Sequence, residues 1–206
     1  MKAVIFVEGI SDEILLRQLF NKLQVEGSIK AEIELEVNST KGWTKIDSDK
    51  GEVYRNKLIQ NREGMNILIF DADSDPETRR KEINGWKEKY GINFELFLFP
   101  NDQASGTVET LLESIVNPVN RCVIECWHKY EELLSEQIIP WKNPTTPTCP
   151  SEKSKIYGYL EALVGTTHSE KEKIKDKNRD FTEKNHWDLD AEGIRPLKEF
   201  LIKHLG

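Results

Sequence analysis

Residues 65–73 read Met65-Asn66-Ile67-Leu68-Ile69-Phe70-Asp71-Ala72-Asp73. Apart from Asn66 the stretch is apolar up to Phe70, and an apolar run with β-branched residues is typical of a strand that is buried on both faces of a parallel sheet. Asp71 and Asp73 follow the run directly, at the point where such a strand ends. The segment therefore predicts a buried strand that delivers two carboxylates to the carboxyl edge of a sheet.

A second segment of the same kind lies near the N-terminus. Residues 2–7 are mostly apolar and lead into Glu8, and we expect Ser11 to cap a helix that has Asp12 in its first turn. Apolar and acidic residues alternate over 31–37, which predicts a half-exposed edge strand, and residues 94–99 form another apolar run. Helices are predicted between and after these strands over 53–59, 76–90 and 107–116.

The alternation of strands and helices predicts an α/β fold with a mainly parallel sheet flanked by helices. After Pro118 the strand signals stop, and helices are predicted over 119–134, 153–164 and 194–205. A Pro/Thr-rich linker covers 140–150, and the charged segment 166–184 is expected to be a mobile loop or a solvated helix. We predict an α/β core over 1–117 and a helical extension over 118–206 that packs on it as one compact unit.

Charge and cysteine usage narrow the class of protein. Among 206 residues, 36 are Asp or Glu and 29 are Lys or Arg, giving a net charge of −7. A general nucleic-acid coat protein would be basic, whereas an enzyme that clusters acids around a metal is not disfavoured. The three cysteines cannot all pair with one another, which favours a reducing compartment and hence the cytoplasm. The first apolar run is too short for a signal peptide and no segment is long enough to cross a bilayer, so no membrane partner is expected.

Acidic residues recur where we expect the carboxyl ends of the strands. Glu8 and Asp12 follow the first strand, Asp71 and Asp73 follow the third, and Glu109 lies at the start of the helix after the last strand. Carboxylates that converge repel one another unless a cation neutralises them, and their hard oxygens suit Mg²⁺ or Mn²⁺. The alternative is that these residues only form turns and helix caps.

Two segments together resemble the Toprim domain: Val7-Glu8-Gly9-Ile10-Ser11-Asp12 and Ile67-Leu68-Ile69-Phe70-Asp71-Ala72-Asp73. That domain is shared by topoisomerases, bacterial primases, a ribosomal-RNA maturase and the overcoming-lysogenization-defect (OLD) nucleases. Its signature is a Glu after the first strand and an Asp-x-Asp after a later strand. Residues 98–103 and 106–113, the helix with Lys153 and Lys155, and residues 187–190 resemble a small stand-alone branch of mostly uncharacterised bacterial proteins.

The resemblance implies metal-dependent cleavage of phosphodiester bonds in DNA or RNA. Glu8 would act as general acid/base or as a metal ligand, and Asp71 and Asp73 would hold Mg²⁺ or Mn²⁺. In the OLD-type nucleases further acids hold a second ion, and Asp12 and Glu109 match them best. Lys153 or Lys155 is the candidate for neutralising charge on the scissile phosphate.

The chain also departs from these relatives. It has no room for the separate tyrosine-bearing domain of topoisomerases, and no G-x-x-x-x-G-K-[ST] motif is present, so any ATPase would be another chain. A second copy of this chain is a further candidate partner. Two alternatives stay open: another magnesium-dependent phosphoryl-transfer enzyme, and a non-catalytic module that keeps the fold and binds a partner.

Three other patterns favour structural roles. Cys122, Cys126 and His128 lack a second ligand pair at zinc spacing, so buried structural cysteines are predicted. The basic run over 79–81 is expected to be a solvated helix face rather than a contact to a nucleic-acid backbone. The tryptophans, Trp43 among them, are expected to fill the core or its edges.

Overall fold

A computed structural model describes residues 1–42, 44–48 and 51–206; the prediction for Trp43 falls outside them. In this part of the chain four strands form one sheet in the order β2-β1-β3-β4, and every neighbouring pair is parallel. The strands are β1 (Lys2–Val7), β2 (Glu34–Ser39), β3 (Met65–Asp71) and β4 (Glu95–Phe99).

Helices alternate with the strands and then continue alone to the C-terminus. They are α1 (Ile10–Val25), α2 (Thr44–Asp47), α3 (Glu52–Gln60), α4 (Pro76–Tyr90), α5 (Val108–Ser114), α6 (Arg121–Ser135), α7 (Glu152–Val164), α8 (His168–Ile174) and α9 (Arg195–Leu205). The predicted fold class, a mainly parallel sheet flanked by helices with a helical C-terminal part, is confirmed. No described helix has the length and apolar character needed to cross a membrane.

Side chains that alternate along the strands build two hydrophobic cores, one on each face of the sheet. On one face Ile5, Ile69 and Phe97 pack with residues of α1, α5, α7 and α9. On the other face Phe6 and Phe70 pack with residues of α3 and α4. The first core draws on both 1–117 and 118–206, so the C-terminal helices complete the core that the strands begin.

The start of α1 differs from the prediction. Ser11 lies inside the helix, which begins at Ile10 after Gly9 as its N-cap residue. The reason is Asp12, whose Oδ2 accepts a hydrogen bond from the Gly9 N–H at 2.9 Å and so satisfies a donor that the cap would otherwise leave free. This bond also draws the Asp12 carboxylate back toward the end of β1.

The charged segment 166–184 is better ordered than predicted. It contains α8 and buries Ile174, Arg179 and Phe181. Gln18 of α1 holds it through two bonds, because its amide nitrogen donates to the Arg179 carbonyl at 3.2 Å and its amide oxygen accepts from the Phe181 N–H at 2.6 Å. Burial of these side chains and the two hydrogen bonds of Gln18 therefore fix a segment that its composition alone predicts to be solvated.

The prediction that Cys122 and Cys126 are buried is wrong. Both are exposed and free, as is Cys149. The physical reason is the narrow contact of α6, which buries only Ile124 fully. Trp127 packs so closely on α7 that a Cβ added at Gly158 would lie 2.5 Å from its ring.

Candidate acidic site at the carboxyl edge of the sheet

The site begins where β1 and β3 end side by side. Val7 and Ile69 are partners in the parallel register, so Glu8 and Asp71 emerge at the same edge of the sheet. Glu8 Oε1 accepts a hydrogen bond from the Asp71 N–H at 3.2 Å. Asp71 Oδ1 in turn accepts from the Val108 N–H at the start of α5, at 2.9 Å. Two strand ends and one helix start are thus tied together through their acids.

Asp12 is the most deeply buried of the acids, with only 3% of its surface exposed. Burial raises the pKa of its carboxyl to about 6, and the negative charges of Glu109 and Glu8 push in the same direction. The hydrogen bond from the Gly9 N–H opposes this shift because it favours the ionised form. Asp12 therefore titrates close to neutral pH while it faces other carboxylates.

Asp71 is perturbed more strongly. Burial raises the pKa of its carboxyl to about 8, and the charges of Asp12, Glu8 and, less strongly, Glu109 add to the rise. The bond from Val108 again works in the opposite direction. Asp12 and Asp71, with the two acids whose charges act on both of them, form what we call the acidic cluster: Glu8, Asp12, Asp71 and Glu109.

Asp73, the second acid of the Asp-x-Asp segment, points elsewhere. Its backbone is left-handed, with φ of 52°, and it is joined to Gly106 by N–H to O bonds of 3.0 Å and 2.7 Å in the two directions. Its carboxylate is paired with the guanidinium of Arg79 on α4. The structure therefore places Glu8 beside Asp71 through a hydrogen bond with the Asp71 backbone, lets Glu109 act on Asp12 and Asp71 through its charge, and places Asp73 against an arginine.

The fit of a metal to these residues rests on their chemistry. Within residues 1–42, 44–48 and 51–206, no group of three or more His, Cys, Asp or Glu side chains is arranged so that it could hold a metal ion. The donors of the acidic cluster are all carboxylates, the class that Mg²⁺ and Mn²⁺ prefer. Burial is the main cause of the raised pKa of Asp12 and Asp71 and repulsion adds to it; a divalent cation would oppose both effects.

The two predicted lysines occupy different environments. Lys153 Nζ lies 2.5 Å from Asp176, and the hydrogen bond and charge of Asp176, with a smaller contribution from Glu109, outweigh burial and raise the pKa of Lys153. Lys155 is buried between helices, 3.1 Å from Glu113 and 3.5 Å from Glu131. Of the two lysines, Lys153 is the one whose pKa is also raised by a member of the acidic cluster, Glu109. Lys155 instead joins α5, α6 and α7 through its ion pairs.

Arg179 and Asp176 were not predicted from the sequence. Arg179 is buried, and its guanidinium donates to Ser11 Oγ at 2.9 Å and to Asp176 Oδ1 at 3.1 Å. It therefore links Lys153's partner to the first turn of α1, next to Asp12. Neither residue stands out in a segment where nearly every position is charged, and only the apolar Phe181 nearby hints at burial.

Fold and site together define a parallel α/β protein with a carboxylate cluster at the carboxyl edge of its sheet. The family model described as "Protein of unknown function (DUF3226)" matches residues 2–205, and the chain belongs to that family. No curated protein and no solved structure matches the chain.

Proposed function

We propose that this protein is a metal-dependent phosphodiesterase of the Toprim type, which cleaves DNA or RNA with Mg²⁺ or Mn²⁺. The acidic cluster is the observation that carries the proposal. Burial, and then the charges of neighbouring carboxylates, raise the pKa of Asp12 and Asp71, so negative charge on these two groups is costly unless a cation shares their site. Glu8 and Asp71 also stand at adjacent strand ends, where the motif that resembles Toprim requires its acids.

Each residue has a role in this proposal. A bound Mg²⁺ or Mn²⁺ would stabilise charge on the phosphate and lower the pKa of a water nucleophile. Asp71, Asp12 and Glu109 would hold one or two ions, with Asp73 as a further ligand. Glu8 is the general acid/base or an additional ligand.

A positive side chain near the acidic cluster would stabilise the negative phosphate of the substrate. Lys153 is half-exposed, its ammonium is paired with Asp176, and the charge of Glu109 makes a small contribution to its raised pKa. An ammonium there would neutralise charge that develops on the scissile phosphate. Lys155 is the weaker candidate, because its charge is already shared by Glu113 and Glu131.

The cellular location we propose is the cytoplasm. Cys122, Cys126 and Cys149 are free and exposed. Exposed thiols persist in a reducing compartment, whereas an oxidising one favours disulfides.

The test is a cleavage assay on supercoiled plasmid, linear DNA and structured RNA, with Mg²⁺, Mn²⁺ or EDTA. We expect at least one substrate to be cut with metal and none with EDTA. Glu8→Gln should lower the rate by about 100-fold or more, since it removes a proton-transfer group or a ligand. Glu88→Gln changes an exposed residue in the last turn of α4. It is the control and should leave the rate unchanged.

Other results would point to the alternatives. Cleavage by Glu8→Gln at the wild-type rate, or cleavage in EDTA, would contradict the proposal. Turnover of a small phosphate ester without cleavage of any polynucleotide would identify another class of phosphoryl-transfer enzyme. Metal binding with no turnover of any substrate would identify a binding module.

A further inference from the structure

We infer that the exposed side of α6 is the interface of a homodimer, in which two copies of this chain pack α6 against α6 in antiparallel orientation. The inference does not depend on the proposed function, because it uses no residue of the acidic cluster. It commits to a second copy of the chain as the partner that covers this surface.

Exposed apolar side chains are concentrated in one region of the molecule. Ten large hydrophobic side chains are exposed in the described part of the chain, and five of these lie between residues 119 and 141. They are Val119, Tyr130, Leu133, Ile138 and Trp141. Single apolar residues on a surface are ordinary, whereas a group of them marks a surface that binds another molecule.

The apolar group follows one side of α6. Ile124 is the fully buried residue of this helix and packs in the core. At about 100° per residue, Cys122, Cys126 and Leu133 lie within about 20° of the direction opposite to Ile124, and Tyr130 borders them. All four are exposed. Their spacing of four, four and three residues is that of a stripe that packs on another helix. We call Cys122, Cys126, Tyr130 and Leu133 the outer face of α6.

Two charged residues beside the outer face point to a second copy as the partner. Glu125 and Lys129 lie on the same border of this face, both are exposed, and neither side chain bonds to any described residue. A two-fold axis between residues 127 and 128 brings this border of both copies together and places Glu125 of each within about 2 Å, along the helix axis, of Lys129 of the other. The same register sets Cys122 opposite Leu133. Opposite charges and apolar side chains therefore meet in one symmetric arrangement.

Sedimentation equilibrium of the full chain measures the dissociation constant of the dimer. We expect wild type to be mainly dimeric at about 50 µM. Leu133→Glu should weaken dimerisation by at least about tenfold, because it places a charge from each copy in the apolar interface. Val53→Glu makes the same kind of change at an exposed apolar position on α3 and should alter the constant by less than about twofold.

Charge exchange tests whether the partner is a second copy. Lys129→Glu and Glu125→Lys should each weaken their own dimer by about three- to tenfold, because like charges then meet at two symmetric places. A one-to-one mixture of the two variants should return to within about twofold of the wild-type constant, since opposite charges again face each other across the mixed interface. An effect confined to one helix would not be restored by mixing.

Cross-linking tests the antiparallel register. The two copies of Cys126 would lie about 5 Å apart along the helix axis, and the two copies of Cys122 about 16 Å apart. A short bismaleimide should therefore link Cys122→Ser/Cys149→Ser, which keeps only Cys126, at least about tenfold faster than Cys126→Ser/Cys149→Ser, which keeps only Cys122.

Several outcomes would overturn the inference. A wild-type chain that stays monomeric at about 0.5 mM would do so and would leave the outer face to a different protein. Equal effects of Leu133→Glu and Val53→Glu, a mixture no tighter than its two components, or faster linkage through Cys122 would each do so as well. The charge variants alter only exposed side chains, so they decide the question even if Leu133→Glu fails to fold.

Discussion

At the scale of single residues, Asp71 combines a cost to folding with the metal-binding role that we propose for it. Its carboxyl is largely buried beside Asp12, Glu8 and Glu109, and these surroundings favour the neutral acid. A group whose pKa is higher in the folded than in the unfolded chain stabilises the fold at low pH. That stability is lost as pH rises through the folded pKa, here about 8. Without metal, the ionised Asp71 is therefore destabilising.

Asp71→Asn should consequently stabilise the metal-free protein. The amide oxygen can still accept the bond from Val108, while the negative charge is removed. In EDTA at pH 8 we expect a melting temperature at least about 2–4 °C above wild type, the equivalent of about 1 kcal/mol in a chain of this length. The difference should shrink toward pH 5, because Asp71 of the folded chain is then neutral and fewer protons separate the folded from the unfolded state. Calorimetry across this pH range, with Glu88→Gln as control, measures it; a lower melting temperature at pH 8 would contradict it.

Gly106 illustrates a different constraint, that of space and backbone angle together. Its φ is +138°, and an added Cβ would lie 2.7 Å from Thr110 Oγ1 and 3.2 Å from Pro100 Cδ. Gly106→Ala should lower the free energy of unfolding by about 1–3 kcal/mol in urea denaturation. Gly27→Ala shares a positive φ but meets nothing within 4 Å, so it should cost less. Equal losses in the two variants would show that crowding at Gly106 is unimportant.

At the scale of elements, the edge strand β2 is held by charge as well as by the sheet. Glu36 on β2 lies 2.6 Å from Lys2 of β1 and is also paired with Lys57 of α3. Hydrogen bonds from Lys2 and Lys57 lower the pKa of Glu36 to about 2. A depressed pKa means that the stabilisation is present above about pH 4.5 and is lost as pH falls toward 2.

Glu36→Gln should therefore destabilise the protein at pH 7 and matter less in acid. About 0.5–1 kcal/mol is expected at pH 7, since the pair is partly exposed and screened by solvent. Urea denaturation at pH 7 and pH 3 measures the difference between the two proteins. A gap that stays constant or widens in acid would contradict the role assigned to this pair.

Sequence patterns predict elements well where local signals agree. The apolar runs of β1 and β3 and the Pro76 start of α4 were placed within a residue, because burial and capping act locally there. Strand polarity also suffices to bring Glu8 and Asp71 to one edge. By contrast, the pairing of Asp73 with Arg79 and the burial of Arg179 depend on contacts that no local pattern encodes.

At the scale of the whole molecule, the larger core depends on the C-terminal half. The rings of Tyr159 and Phe181 each pack against Trp187, and α9 reaches β4, where Phe200 contacts Phe97. Residues 1–117 alone would expose the face of the sheet that these residues cover. Exposed apolar surface of this extent opposes independent folding.

A fragment of residues 1–117 should therefore lack a cooperative unfolding transition. Near-ultraviolet circular dichroism and urea titration would compare it with the full chain, which we expect to unfold in one step. A fragment that unfolds cooperatively on its own would contradict this and would make 118–206 a separable extension.

The central claim is that the acidic cluster holds the cation that drives phosphodiester cleavage, and Asp71→Asn tests it most directly. The decisive measurement is the single-turnover rate of nucleic-acid cleavage in Mn²⁺ at pH 8, for wild type and for Asp71→Asn that calorimetry shows to be folded. We predict that the variant is at least as stable in EDTA yet at least about 100-fold slower, because a ligand to the cation is lost. Cleavage by Asp71→Asn at the wild-type rate would contradict the claim.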